Sequence, residues 1–466
     1  MQLATSIVST ILDTGTRPGT RLPSSRKLAA ELGISRLTTS LVYNELVLQG
    51  YLESLPRSGY VVSSNAPHRR MQATDDASAP GNVTWSDWLP RDLSKRRQII
   101  KPRDWRNYPY PFIYGQADPA LFNHSAWRDC VRRALGTRDF VQLADDRLTM
   151  DDELLVDYIC RNTLPRRGIR AKPEQILITL GAQNALWLAT QLLARRDRQA
   201  VLEDPGYPDF AETLRIVNMP TTYIPVDSQG LNPALLPQET GLVFVTPSHH
   251  IPTGVTMPVS RRVELLRRAE MQDFLIIEDD YEFEMSFLEP PSPSLKSLDK
   301  SGRVIYVGSF SKSIFPGLRV GYLVASEPFI EQARALRAMM LRHAPTHMQR
   351  VTAYFLALGH YDAHIVGLRG VFKKRRSALV EALEDCDLSI AGAARYGGSS
   401  LWISAPDHID SMELSKKLAT CGVLIEPGQP FFNEPQANRH YFRMGYSSIN
   451  ADRIPEGVAL IRSHIR

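Results

Sequence analysis

The stretch "YVGSFSKSIFPGLRVGY", residues 306–322, sets one lysine, Lys312, among serines, a glycine and a proline, between two runs that alternate like strands. A lysine amine attacks a carbonyl cofactor only when it is neutral, which requires a desolvated or electropositive surrounding that lowers its pKa. Arg319, further along the same stretch, supplies positive charge and can bind a phosphate. About thirty residues upstream, "LIIEDDYEFE" ends a buried-strand pattern at Asp279. A carboxylate in that position has to be paired or hydrogen-bonded, because burying it alone and ionised is costly. The protonated ring nitrogen of a cofactor would serve as that partner. Taken singly, each residue has an ordinary reading: Lys312 as a solvated loop lysine, Asp279 and Tyr281 as structural groups, Gly181 as a tight turn. Their order, each at the end of a strand pattern, points to one site.

The elements that must carry these residues alternate helix and strand from about 111 to 466. "LITLGAQNALWLATQLLARRD" passes from a β-branched run into an amphipathic helix, and "QAVLEDPGYP", "GLVFVTPSHH", "FLIIEDDYE", "RVIYVGSFSK" and "RVGYLVAS" each read as a short buried strand ending in polar residues. That succession predicts an open, mostly parallel α/β sheet, with functional groups beyond the carboxyl ends of the strands. From about 346 to 466, a helical stretch followed by "SLWISAP", "VLIEPGQPFF" and "HYFRMGYSS" predicts a smaller α+β lobe and a cleft between the two.

Residues 1–63 follow a different logic. Leu3, Ile7, Ile11 and Leu12 share a helical face that Gly15 and Pro18 end. Ser24 or Ser25 can cap a second helix whose inner face is Leu28, Ala29 and Leu32. Gly33 breaks the chain before Ser35 caps a third helix carrying Leu41, Val42, Leu46 and Leu48, and "PRSGYVV" then reads as a hairpin tipped by Ser58 and Gly59. Residues 64–110 are expected to be a flexible linker, since "SSNAPHRRMQATDDASAPGN" is small, polar and aperiodic. The basic cluster in "RDLSKRRQIIKPRDWR" could touch DNA phosphates or pack on the large domain as a solvated arm, and the second reading is favoured.

Bulk composition agrees with this division. A chain of 466 residues exceeds one ordinary core, and 43% hydrophobic with 23% charged residues is globular. No apolar run approaches the ~20 residues that cross a bilayer, and the N-terminus lacks an export signal, so a cytoplasmic protein without membrane contact is expected. Four dispersed cysteines without C-x-x-C spacing argue against a metal site and a disulfide framework. The net charge of +5 permits a nucleic-acid partner without requiring one.

The N-terminal pattern resembles the winged helix-turn-helix of the GntR family over its whole length. The N-terminus of the third helix would enter a major groove and present Ser35, Arg36, Thr38 and Thr39, and the resemblance implies Arg26 on the second helix, Arg36, Thr38 and the wing-tip Gly59 as contacts with double-stranded promoter DNA. Leu37 and Ser40 stand where relatives often carry polar or basic contacts, so base preference is not readable. From about 111 onward the chain resembles the fold-type-I, pyridoxal 5'-phosphate-dependent aminotransferases. That likeness implies Lys312 as the aldimine lysine, Asp279 on the pyridine nitrogen and Tyr281 on the phenolic oxygen. It also implies Ser309, Ser311 and Arg319 on the phosphate with the cradle Gly181, Ala182 and Gln183, Tyr207 against the ring, and Arg443 on a carboxylate. Two departures stand out. Ile251 replaces the family's asparagine before Pro-Thr-Gly, leaving Ser248, His249 or His250 as candidate substitutes, and the segment before "LPRRGIRA" lacks the Tyr-Gly pair that reaches a partner's phosphate in many relatives.

The fusion of the two resembles the MocR/GabR-type regulators, which implies head-to-tail homodimers and an amino compound sensed through an external aldimine at Lys312. Asp209 takes the place of a second arginine found in some of them, favouring an effector with an amino or other cationic group. "YPFIYGQADPALFNHSAWRDCVRRALG" with "LPRRGI" resembles the branch controlling ectoine use, whose implied effectors are diaminobutyrate derivatives. The competing expectation is a working aminotransferase with a DNA-binding appendage. A repressor whose large domain only dimerises would leave Lys312 and Asp279 without a task.

Overall fold

The computed structural model describes residues 2–56, 58–66, 83–116, 118–384, 386, 388–392 and 395–465. The chain divides into two compact units, Met1–Asp92 and Leu93–Arg466. Of the expected linker, residues 67–82 lie outside the described residues.

In the first unit, helices α1 (Gln2–Asp13), α2 (Ser25–Leu32) and α3 (Arg36–Leu48) precede an antiparallel hairpin of β1 (Leu52–Leu55) and β2 (Gly59–Val62). Ser24 is the residue that caps α2, accepting from the Lys27 N–H, and Gly33 closes that helix in a left-handed conformation. Ser35 caps α3 by accepting from the Thr38 N–H at 3.0 Å. Ile11, Val42, Tyr43 and Leu46 form the core, and the Tyr43 hydroxyl donates to the Pro23 carbonyl at 2.8 Å, fastening α3 to the turn before α2. Leu32, Leu41 and Leu48 remain exposed, so the apolar stripe read from the sequence is wider than the buried one.

The second unit begins at Leu93, short of the expected 111. Its leading segment is exposed at Leu93 and Ile100 but anchored at three points: Arg97 donates to the Phe432 carbonyl at 2.9 Å, Lys101 donates to the Tyr114 carbonyl, and Trp105 is buried. Strand β3 (Tyr110–Pro111) then pairs in parallel with β14 (Val423–Leu424).

An eight-stranded sheet organises the large lobe. Its order is β4 (Ile176–Thr179), β11 (Gly321–Val324), β10 (Val304–Ser309), β9 (Leu275–Asp279), β8 (Thr240–Val245), β5 (Gln199–Asp204), β6 (Thr221–Asp227) and β7 (Gly230–Leu231). The run from β10 through β6 is parallel, while β11 is antiparallel to both its neighbours and β7 to β6. Alternation along the strands feeds two cores. Ile276 packs with Leu265 and Phe274 on one face, and Ile277 with Leu177 and Leu188 on the other. With both faces covered, polar chemistry has room only at the strand ends, where Asp279 and Ser309 lie. Parallel register sets Asp279 beside Val307, two residues before Ser309.

A four-stranded antiparallel sheet, β12 (Ser389–Ile390), β13 (Ser400–Ser404), β16 (Tyr441–Gly445) and β15 (Glu426–Pro427), carries the smaller lobe. Among the described residues no helix is long and apolar enough to cross a membrane.

Candidate functional site

Glu278, Asp279 and Asp280 stand in a row at the end of β9, and protein groups hold the outer two. Glu278 accepts from the backbone N–H groups of Leu295 and Lys296, both at 2.8 Å. Asp280 accepts from Arg167 Nε at 2.6 Å and from the Tyr306 hydroxyl at 2.8 Å. Asp279 is 4% exposed, and its Oδ1 has no partner among the described residues. Burial, reinforced by the neighbouring Asp280 charge, pushes its carboxyl up to about 7.

Asp279 lines a cavity of ≈ 350 Å³ together with Ala182, Gln183, Tyr207, Tyr281, Ser309, Ser311, Lys312, Arg319 and Arg443. Lys312 and Arg319 are exposed residues in an otherwise largely buried wall, and what they open onto is this cavity. Desolvation, together with the nearby charges of Lys101 and Arg443, pushes the Lys312 amine down to about 8. That shift favours the neutral, nucleophilic form.

An anion cradle forms where the helix Gly181–Leu193 begins. Arg319 donates to the Leu180 carbonyl at 3.0 Å, and a Cβ on Gly181 would sit 2.9 Å from Arg319 Nη2. At φ 74°, Gly181 therefore has both the conformation and the lack of side chain that this close approach needs. The Ser311 N–H donates to Ser309 Oγ at 3.2 Å, folding the serine loop back toward the same end. The Tyr207 hydroxyl lies 2.9 Å from Gln183 Oε1 and 3.1 Å from Asp209 Oδ2. Gln183 and Asp209 thus fix the ring of Tyr207.

Across the cavity, Arg443 on β16 faces Glu426 on β15, with Nε 2.8 Å from Oε2. Its guanidinium lies over the Tyr114 ring, 4.1 Å from the centroid, and Lys101 Nζ is 3.3 Å from Glu426 Oε1. One carboxylate therefore balances two cations, leaving an excess positive charge for an incoming anion.

Sequence reasoning missed Lys101, Tyr114 and Glu426. Lys101 was visible as part of a basic cluster, but nothing marked it as part of the cavity wall. Ile251 is 7% exposed and lines the cavity, whereas Ser248, His249 and His250 do not. Ser248 accepts from Arg167 at 2.8 Å, and His250 Nδ1 is 2.7 Å from Thr253 Oγ1. Both are already engaged, so no substitute for the asparagine comes from them. A larger groove of ≈ 730 Å³, bounded by Leu148–Asp157 and Glu327–Ala338, holds none of the expected site residues.

In the first unit, Arg26, Ser35, Arg36 and Thr38 are exposed, and Gly59, with φ 86°, sits exposed at the hairpin turn. Thr39 does not share that surface. It is fully buried, with its hydroxyl 3.4 Å from the Ser35 carbonyl, because one residue of helical rotation turns it from the groove side into the core.

The donor set fits a flat heterocycle with an acidic ring nitrogen, a phosphate tail and a reactive carbonyl. An unpartnered carboxylate, a cationic cradle and a depressed amine face one space. Known proteins bear on the same regions. Residues 153–461 match the family "Aminotransferase class I and II", and residues 1–62 match "Bacterial regulatory proteins, gntR family". The HTH-type transcriptional regulator TauR of Rhodobacter capsulatus is 50% identical, over 100% of this chain and 96% of its own. The probable rhizopine catabolism regulatory protein MocR of Rhizobium meliloti is 28% identical, over 99% and 92%. Among solved structures, the Pyrococcus horikoshii kynurenine aminotransferase in complex with PMP superposes with a TM-score of 0.71 at 25% identity, over 78% of this chain and 95% of that one.

Proposed function

Since the chain belongs to the class I and II aminotransferase family and carries a GntR-family helix-turn-helix in the MocR/GabR-type order, as an HTH-type transcriptional regulator, we propose that it reads an amino compound through pyridoxal 5'-phosphate held at Lys312. The observation that carries this reading is Asp279: of three consecutive acids it is the one whose side chain no protein group holds among the described residues, and it shares a cavity with a lysine whose amine is pushed down to about 8.

When bound, the cofactor supplies a carbonyl carbon at which one amine can replace another. The chain's own groups do the rest. Asp279 holds a proton at the ring nitrogen, Tyr281 donates to the phenolic oxygen, and Tyr207 covers the ring face. Arg319, Ser309, Ser311 and the N–H groups of Gly181, Ala182 and Gln183 hold the phosphate. Arg443, with Lys101 beside it, takes the anionic end of the effector, and Asp209 favours a second cationic group. A change in lobe closure then shifts a homodimer, head-to-tail in this reading, between DNA-competent and incompetent states, which requires different effector affinity in the two. Arg26, Ser35, Arg36, Thr38 and the Gly59 turn meet promoter DNA, in the cytoplasm.

The test is spectroscopic. Purified protein should show the visible absorbance of lysine-bound pyridoxal phosphate, Lys312→Ala should abolish it, and a panel of amino compounds should shift both this band and promoter mobility. Absence of the band defeats the proposal. The second reading, an enzyme, is favoured by the joint presence of Lys312, Asp279 and Arg443 in one cavity. Sustained conversion of an amino donor with an oxo-acid acceptor would select it.

A further inference from the structure

Lys312 borders a second, smaller cavity behind it. This space of ≈ 40 Å³ is lined by Lys312, Tyr114, Gly115, Glu282, Ser399 and Ser447, among others, and lies apart from the cradle and Asp279. Such a volume holds a water molecule or a small cation and little else. Glu282 is 6% exposed; its Oε1 accepts from the Ser399 hydroxyl, and its Oε2 has no partner among the described residues. Ser447 Oγ, on a residue 5% exposed, is likewise unpartnered. His249 Nε2 lies 3.9 Å from the free carboxylate oxygen, and burial pushes that imidazole down, toward its neutral form. An unneutralised carboxylate thus faces a space that the lysine side chain also borders. Gly115, with φ 71°, keeps the way clear: a Cβ there would sit 2.7 Å from Lys312 Nζ.

We propose that Glu282 is the positioning counter-ion that receives the Lys312 ammonium in this rear cavity when an effector amine displaces it. The inference rests on the cofactor reading of Lys312 given above. The exchange balances without an outside reagent. The carbon–nitrogen double bond to Nζ breaks as one to the effector nitrogen forms, the N–H protons and positive charge of the effector's ammonium end on Nζ, and no electrons are exchanged. A buried ammonium created in this way requires an anion. Asp279 remains committed to the ring nitrogen, and Glu426 is shared by Arg443 and Lys101. Asp118, which also lines the small cavity, is held by Arg375 at 2.6 Å, so Glu282 is the carboxylate left for it, and its Coulombic pull on Lys312 already opposes the depression of that amine. Effector arrival is thereby converted into a new ion pair between the serine loop and the Tyr281–Glu282 segment.

The experiment uses the full chain loaded with pyridoxal phosphate and titrated with methylamine, which has no anionic group and makes no demand on Arg443 or Lys101. Glu282→Gln should keep the lysine-bound absorbance of the wild type but need at least about tenfold more methylamine for half-exchange, the lower end of what a close counter-ion contributes. Glu282→Asp, which restores the charge, should recover most of the loss. A crystal structure of the methylamine-exchanged wild type should place Nζ within hydrogen-bond distance of Glu282, which also decides the matter if Glu282→Gln does not fold. Equal titrations for wild type and Glu282→Gln, no rescue by Glu282→Asp, or Nζ found away from Glu282 would each overturn the proposal. A wild type without the lysine-bound band would instead bring down the cofactor reading, and this inference with it.

Discussion

Arg443 and Glu426 are cross-strand partners on β16 and β15, buried to 3% and 1% exposure, with Nε 2.8 Å from Oε2. Burial alone would raise the Glu426 carboxyl, but Arg443 and Lys101 outweigh it and hold it below its ordinary range. Its contribution to stability is therefore complete above the usual carboxylate pKa and disappears as pH falls through the lower folded value. Glu426→Gln leaves two cations facing each other, and breaking a buried pair in this way costs about 3 kcal/mol. Urea unfolding of the cofactor-free protein should show that loss at neutral pH and a shrinking difference from wild type in acid.

Asp279 has the opposite sign. Its folded carboxyl is raised from 3.8 to about 7, so ionising it in the fold costs more than ionising it in the unfolded chain. The stabilisation is full below the unfolded value and is lost as pH rises to the folded one. Asp279→Asn should melt like the wild type in strong acid. Its advantage should grow from about pH 4 to pH 7 and stay level beyond, in calorimetry of the cofactor-free protein. With cofactor bound the order should invert, because the ring nitrogen then supplies the charge that Asp279 lacks.

Much of this site is local in the chain, which is why it could be read there. Asp279, Ser309 and Lys312 each follow a β-branched run, and Gly181 opens the helix that follows a strand. The other half of the cavity is not local. Lys101 meets Glu426 across more than 300 residues of sequence, and which residue faces Arg443 depends on the antiparallel register of two short strands, which no composition or periodicity encodes. Strand β6 escaped notice because its mostly half-exposed residues, with a proline at 225, lack the apolar run of its neighbours. Thr39 shows the converse error. The helix was read correctly, and its phase was off by one residue.

Lys312 gives a kinetic prediction. Its amine titrates near 8 rather than 10.5, so the fraction able to attack a carbonyl stops rising about there. The rate at which cofactor-free protein captures pyridoxal phosphate, followed by stopped-flow absorbance, should climb with pH and level off close to pH 8. A lysine with an ordinary pKa would keep accelerating past pH 10.

On the DNA side, Arg36 and Thr39 separate recognition from folding. Arg36 is exposed at the first turn of α3, where a side chain reaches phosphate or base edge, while Thr39 lies fully buried in the same helix. Arg36→Ala should weaken promoter binding at least about tenfold and reduce the salt dependence by about one counterion, without altering the cofactor spectrum. Thr39→Val keeps the shape and gives up one hydrogen bond to the Ser35 carbonyl, a loss of about 1 kcal/mol. It should lower the melting temperature of the N-terminal unit and leave the affinity of the folded protein for promoter DNA unchanged. Mobility shifts at two salt concentrations, set beside thermal melts, read both effects. A Thr39→Val variant with normal stability and weakened binding would return that residue to the groove and rotate α3 about its axis.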